Sequence, residues 1–103
     1  MVTAIVHYEL APSLNPEKVR TYYKQAVPKY KNMPGLIRKY FLLSEDGHMG
    51  GSVYLWETRE QAVAFHDEEW LEFMRGKYGR RPQVTFFACQ IVIDNVTGDV
   101  IYS

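Results

Sequence analysis

The stretch from Pro34 to Thr58 limits the folds open to this chain more than any other. Leu36-Ile37-Arg38-Lys39-Tyr40-Phe41-Leu42-Leu43 is rich in strand formers, and Ser52-Val53-Tyr54-Leu55-Trp56 is its counterpart. Between them, Asp46-Gly47 and Gly50-Gly51 supply residues that tolerate the backbone of a reversal. This predicts a β-hairpin with strands over about 36–45 and 52–57. Thr58-Arg59-Glu60-Gln61 follows as a capping box, in which the threonine hydroxyl and Gln61 satisfy free amides at a helix start. A hairpin that runs straight into a helix is the centre of a β-α-β-β-α-β chain, and the flanks supply the rest.

Upstream, Val2, Ala4, Val6, Tyr8 and Leu10 alternate with Thr3, Ile5, His7 and Glu9, the period of a strand. Asn15-Pro16-Glu17 then gives an N-cap, a proline at the first helical position and an acid facing the positive helix end. Val19, Tyr22, Tyr23, Ala26, Val27 and Tyr30 recur at helical spacing. Pro28 is expected to kink or end that helix, because it lacks an amide hydrogen and collides with the carbonyl four residues back. Downstream, Ala62, Phe65, Trp70, Leu71, Phe73 and Met74 give a second helix an apolar side, broken near Asp67 into two segments and ended by Gly79 and Pro82. A fourth strand is expected over about Val84 to Ile93, and Asp94 to Ser103 as a polar tail.

Residues 1–103 therefore predict a single domain of the α+β class. Its architecture is a ferredoxin-like split βαβ sandwich, with a four-stranded antiparallel sheet and both helices on one face, because βαβ crossovers are right-handed. Yet the strands are apolar on both faces: Tyr40 and Leu42 oppose Phe41 and Leu43, and Phe86 and Ala88 oppose Phe87 and Cys89. An uncovered face of that character marks an interface, so the expectation is a two-fold homodimer closing sheet to sheet into a dimeric α/β barrel.

Composition removes several classes of function. Twelve basic and twelve acidic residues leave no net charge to draw the chain to nucleic acid or an anionic membrane. No apolar run approaches the roughly 18 residues of a membrane span. One cysteine, Cys89, leaves no internal disulfide, and without a signal-peptide pattern the expected compartment is the cytoplasm. The three histidines lack metal-site spacing, and the glycines fit neither a phosphate loop nor a dinucleotide fingerprint, so no metal and no cofactor are expected.

Pro34-Gly35, the run from Gly50 to Thr58, and Ala62 to Trp70 resemble the dimeric α/β-barrel superfamily, particularly its antibiotic-biosynthesis-monooxygenase-like branch, over about Val2 to Asn95. The resemblance implies a cleft between sheet and helices, where some relatives oxygenate polycyclic aromatic or quinol-type substrates with neither metal nor flavin. In haem-degrading relatives, a polar residue of the first strand and an aromatic or histidine of the second helical region face the substrate. Those positions fall near His7 and near Phe65 to Trp70. Here His7 replaces an amide, Phe65 replaces a tryptophan, and no axial histidine matches.

The function expected is a cofactor-independent monooxygenase acting on a small aromatic or quinol-like molecule. Ground-state oxygen reacts with an electron-rich anion, so the protein must take a proton and hold the anion in a dry cavity, a task suited to a histidine. His7 is the candidate base; it also fits a histidine hydrogen-bonded inside the core or a dimer seam. Tyr22, Tyr23, Tyr54, Trp56, Phe65, His66 and Trp70 are the candidate substrate walls, flat rings that stack on a planar ligand while hydroxyls and indole N–H groups orient its oxygens. The same aromatic stripe also fits a filled core, and His66 a surface position. Arg38 and Lys39 point to opposite faces of their strand, where one stabilises a phenolate or carboxylate, or both guard an edge. A non-catalytic dimer that binds or senses a small ligand is the alternative, with an isomerase or decarboxylase as a third possibility.

Overall fold

The computed structural model describes all of residues 1–103, in the order β1 (Val2–Glu9), α1 (Pro16–Tyr30), β2 (Leu36–Leu43), β3 (Met49–Trp56), α2 (Arg59–Phe65), α3 (Glu68–Tyr78), β4 (Gln83–Ala88), β5 (Ile91–Asp94) and β6 (Asp99–Tyr102). Strands β1 to β4 form one antiparallel sheet in the order β2-β3-β1-β4. Each helical connection thus passes over one strand, as a split βαβ fold requires. No helix is long and apolar enough to cross a membrane.

Strand alternation decides what lies inside. Val2, Ala4, Val6 and Tyr8 of β1 and Tyr54 and Trp56 of β3 pack against Val19 and Tyr23 of α1, Ala62 of α2, and Trp70, Met74 and Tyr78 of α3. The helices therefore cover a single face. On the other, Ile5, Tyr40, Leu42 and Phe87 remain 40–53% exposed. The helix caps form, but the reciprocal half of the expected capping box does not: Gln61 Oε1 accepts from the Thr58 hydroxyl at 3.1 Å and not from a backbone amide. The side chains of Asn15, Thr58 and Asp67 accept the amide hydrogens of Lys18, Gln61 and Trp70, and Gly79 closes α3 in the left-handed region at φ 103°. Asp67 is thus the break that divides the second helical region in two.

Three boundaries differ from the sequence expectation. Helix α1 runs through Pro28, because the proline sits in the last turn and Lys31 N–H still closes on the Val27 carbonyl at 2.9 Å. Gly50 and Gly51 belong to β3, and the reversal is Ser44 to His48. Their glycines serve close approach: a Cβ on Gly50 would lie 2.5 Å from the Tyr8 ring and 2.7 Å from the Tyr23 hydroxyl, and one on Gly51 would lie 2.7 Å from the Val6 carbonyl. The fourth strand stops at Ala88, whose partner is Val2, the first residue of β1; beyond it only Met1 remains, and its carbonyl accepts the Cys89 amide at 3.0 Å. Ile91 to Asp94 pairs instead with Asp99 to Tyr102 as a separate ribbon. Asp94 accepts the Val96 and Thr97 amides in the turn and takes Arg38 of β2 as an ion-pair partner at 2.5 Å.

These environments make two glycine substitutions act in opposite directions. Gly50→Ala would drive a methyl group into the buried tyrosine pair and lower unfolding free energy by about 1–3 kcal/mol. Gly76→Ala, with nothing within 4 Å of its new methyl inside α3, would raise it by roughly 0.5–1 kcal/mol. Urea unfolding of both variants beside the parent checks the pair of signs.

Candidate functional site

Between α1, α3 and the covered sheet face lies a cavity of about 130 Å³, walled by Tyr8, Tyr23, Tyr30, Phe41, Phe73, Met74 and Tyr78 and holding Lys29, Lys39 and Lys77. Lys39 reaches it because β2 pairs Lys39 with Tyr54 and Phe41 with Ser52, which turns Lys39 and Phe41 inward and Arg38 and Tyr40 outward. Its Nζ stands 3.3 Å from the Tyr30 ring centroid, 3.9 Å from that of Phe41 and 4.4 Å from that of Tyr54. No carboxylate lies within 4 Å of this amine, and no side chain or carbonyl hydrogen-bonds to it.

Burial, and then the charges of Lys29 and Lys77, pull the Lys39 ammonium from its ordinary 10.5 down to about 6. The ring faces around Nζ oppose that pull, since they attract the cation. The result is a half-buried amine able to exchange a proton near neutrality. The floor is also ordered. Tyr23 donates to the Leu42 carbonyl at 2.9 Å, which leaves its oxygen to accept from Tyr8 at 2.8 Å, and Tyr54 donates to Tyr30 at 3.4 Å. Burial raises the pKa of all four phenols, so they stay protonated and act as donors.

Beside this cavity the second aromatic group is closed. Trp56 Nε1 donates to His66 Nε2 at 3.2 Å, and the His66 ring packs edge-on to Tyr54 and Trp70 at 4.5 and 4.6 Å. His66 is 7% exposed, which corrects the surface expectation. Burial and the Lys39 charge push its pKa from 6.5 to about 4, so it is neutral at pH 7, with its proton on Nδ1 because Nε2 accepts from Trp56. Nδ1 and Trp70 Nε1 have no hydrogen-bond partner.

The structure brings only part of the expected set together. Tyr23 lines the cavity, and Tyr54 touches it through Lys39. Trp56, Phe65, His66 and Trp70 form the closed aromatic group, and Tyr22 packs outside it against Tyr78. His7 stands on the uncovered face, exposed, because the alternation of β1 buries Val6 and Tyr8. It is excluded from the cavity lining. No group of three His, Cys, Asp or Glu side chains converges as a metal site. Lys29, Lys39, Lys77 and Tyr30 were not singled out as a set by sequence reasoning. The available signal was that Lys39 shares its strand face with Phe41 and Leu43.

The same architecture occurs in a monooxygenase from the gene ActVA-Orf6 of Streptomyces coelicolor, solved in complex with the ligand nanaomycin D, with a TM-score of 0.63, 17% sequence identity and 89% of each chain covered. The chain shares the fold of that monooxygenase. Neither a protein-family model nor a curated protein matches its sequence. At this identity the likeness concerns the fold, and the site residues rest on the geometry above.

The depressed His66 pKa sets a pH dependence of stability. Between pH 6.5 and about 4 the unfolded chain binds a proton that the folded one refuses. Stability conferred by neutral His66 is therefore complete above pH 6.5 and is lost as pH falls toward 4, by up to about 3 kcal/mol. His66→Gln keeps an acceptor for Trp56 without titrating. Chemical unfolding at pH 7 and pH 4.5 should show a smaller loss in this variant than in the parent, and parallel losses would remove His66 as the cause.

Proposed function

We propose that the protein is a cofactor-independent monooxygenase that oxidises a single-ring phenol or hydroquinone in this cavity, with Lys39 as the base. The observation that carries the reading is an amine with no ion-pair or hydrogen-bond partner, held among three aromatic rings at the edge of an apolar cavity. A volume of about 130 Å³ is the scale of one benzene ring, given that an apolar cavity of about 150 Å³ binds benzene.

The chemistry follows from what each group offers. Neutral Lys39 takes the phenol proton, and the resulting ammonium pairs with the phenolate. The phenolate passes one electron to dioxygen. The radical pair joins through a carbon–oxygen bond at the ring carbon para to the oxygen, and the distal peroxide oxygen takes the proton back from Lys39. In a phenol, loss of the para hydrogen and the terminal hydroxyl as water leaves the para-quinone, so that phenol plus dioxygen gives quinone plus water; a hydroquinone, whose para carbon bears a hydroxyl, takes dioxygen at an ortho carbon by the same steps and gives a hydroxyquinone plus water. Of the four phenols, Tyr30 accepts from Tyr54 and keeps its own hydrogen, so it is the donor to a developing oxyanion, and the apolar walls exclude bulk water from the radical pair.

Oxygen uptake with a panel of phenols and hydroquinones tests this. Lys39→Met should lower kcat/KM by about 10²-fold or more with unchanged circular dichroism. In the parent, kcat/KM should rise with pH through a midpoint near 6 and then level, since the base works unprotonated. Tight binding without oxygen consumption would leave the non-catalytic ligand-binding reading in its place.

The uncovered sheet face supports a second part of the proposal, a homodimer closed sheet to sheet. Ile5, Tyr40, Leu42 and Phe87 form an apolar surface that a second copy, carrying the same surface, would bury. Sedimentation equilibrium should give twice the protomer mass at micromolar concentration, and Tyr40→Lys with Phe87→Glu should return the protomer. A parent that sediments as a protomer would overturn the dimer.

A further inference from the structure

Three lysine amines converge on the cavity, and none of the residues lining it is acidic. All the ion pairs of the chain use Arg38, Arg75, Arg80 or Arg81, so Lys29, Lys39 and Lys77 are each without a carboxylate partner. Lys29 comes from the last turn of α1 and Lys77 from the last turn of α3. Their nitrogens flank the half-exposed ring of Phe73, 5.2 and 5.8 Å from its centroid. Lys29 also lies 5.6 Å from the Tyr30 ring centroid that Lys39 approaches to 3.3 Å, so the two nitrogens are within reach of opposite ends of one substituted benzene ring.

A helix dipole favours one cation at the end of each helix. It does not account for a third lysine, on the facing strand, with no acid between the three. Like charges around a low-dielectric cavity repel one another, and the Lys77 ammonium is itself depressed by burial and by Lys29. The nearest acids that share a surface with Lys29 are Asp67 and Glu69, in a shallow depression on the outer side of Phe73, and neither comes within 4 Å of its nitrogen. The inner side has a positive field, apolar walls and no internal counter-ion, which is complementary to an anion carried on an aromatic ring.

We propose that Lys29 and Lys77 are an anion-recognising pair at the cavity mouth and that the natural substrate class is the phenolic carboxylates. In these a single ring presents its carboxylate to the two outer lysines and its hydroxyl to Lys39. The proposal rests on the assignment of this cavity as the substrate site, and it deepens that assignment by naming the second recognition element.

Titration calorimetry with 3-hydroxybenzoate and with 3-hydroxybenzamide, which has nearly the same shape and no charge, separates the contributions. The acid should bind the parent at least about tenfold more tightly than the amide. In the double variant Lys29→Gln with Lys77→Gln, the acid should fall to the affinity of the amide, and the amide should be unchanged. Equal affinities in the parent, a preference for the acid that survives in the double variant, or no binding of either compound at millimolar concentration would overturn the proposal. The oxygenase assignment is judged apart from this. Lys39-dependent oxygen uptake with neutral phenols and no preference for the acid would leave the oxygenase standing and remove the anion pair. Selective binding of the acid without oxygen uptake would do the reverse.

Discussion

Because β1 lies at the centre of the sheet and pairs on both sides, its two-residue alternation sets inside and outside for the strands around it. Once Val2, Ala4, Val6 and Tyr8 face the helices, the antiparallel register puts Ser52, Tyr54 and Trp56 on the same face of β3 and Lys39 and Phe41 on the same face of β2. A slip of one residue would exchange the faces completely. A slip of β1 alone would bring His7 to the helix side, and a slip of β2 alone would send Lys39 to the open side. The identity of the candidate base is therefore a consequence of pairing register, two strands away from the strand that fixes it.

The register also explains the glycine pair. Gly50 stands opposite Tyr8, and the space left by its missing side chain is filled by the Tyr8 and Tyr23 rings. Those rings deliver two hydroxyls to each other in the core, and the chain of donors ends on the Leu42 carbonyl of β2. Buried hydroxyls are tolerated only when paired. The floor of the cavity is thus a satisfied polar network set into an aromatic shell, and Lys39 is the one cation in it placed by a strand.

Much of this was legible in the sequence. The element order, the helix caps at Asn15 and Thr58, the break near Asp67, and the single helix-covered face follow from local chemistry and handedness. What failed depended on partners distant in sequence. The end of β4 is set by where β1 begins, which 83–93 does not encode by itself, and the ribbon of β5 and β6 was hidden within an apparent tail despite the turn residues Asp94 and Gly98 between two short β-branched runs. His7 and His66 show the same limit from the other direction. Alternation alone does not say which face of β1 is covered, and helical position alone does not show that Trp56 seals His66 from solvent.

The two apolar surfaces of the sheet lie on opposite sides of it. The cavity opens between α1 and α3, with Phe73, Lys29 and Lys77 at its rim, whereas the exposed Ile5, Tyr40, Leu42 and Phe87 face away from both helices. A second copy docked on the open face would therefore bury apolar area without closing the mouth. The Arg38–Asp94 ion pair holds the β5–β6 ribbon to the outer side of β2, and the neighbouring residue on the inner side is Lys39. A shift of β2 caused by association on the open face would move Lys39 with it, since adjacent residues of a strand are displaced as one. In this fold, coupling between assembly and the cavity amine would have to pass through that strand.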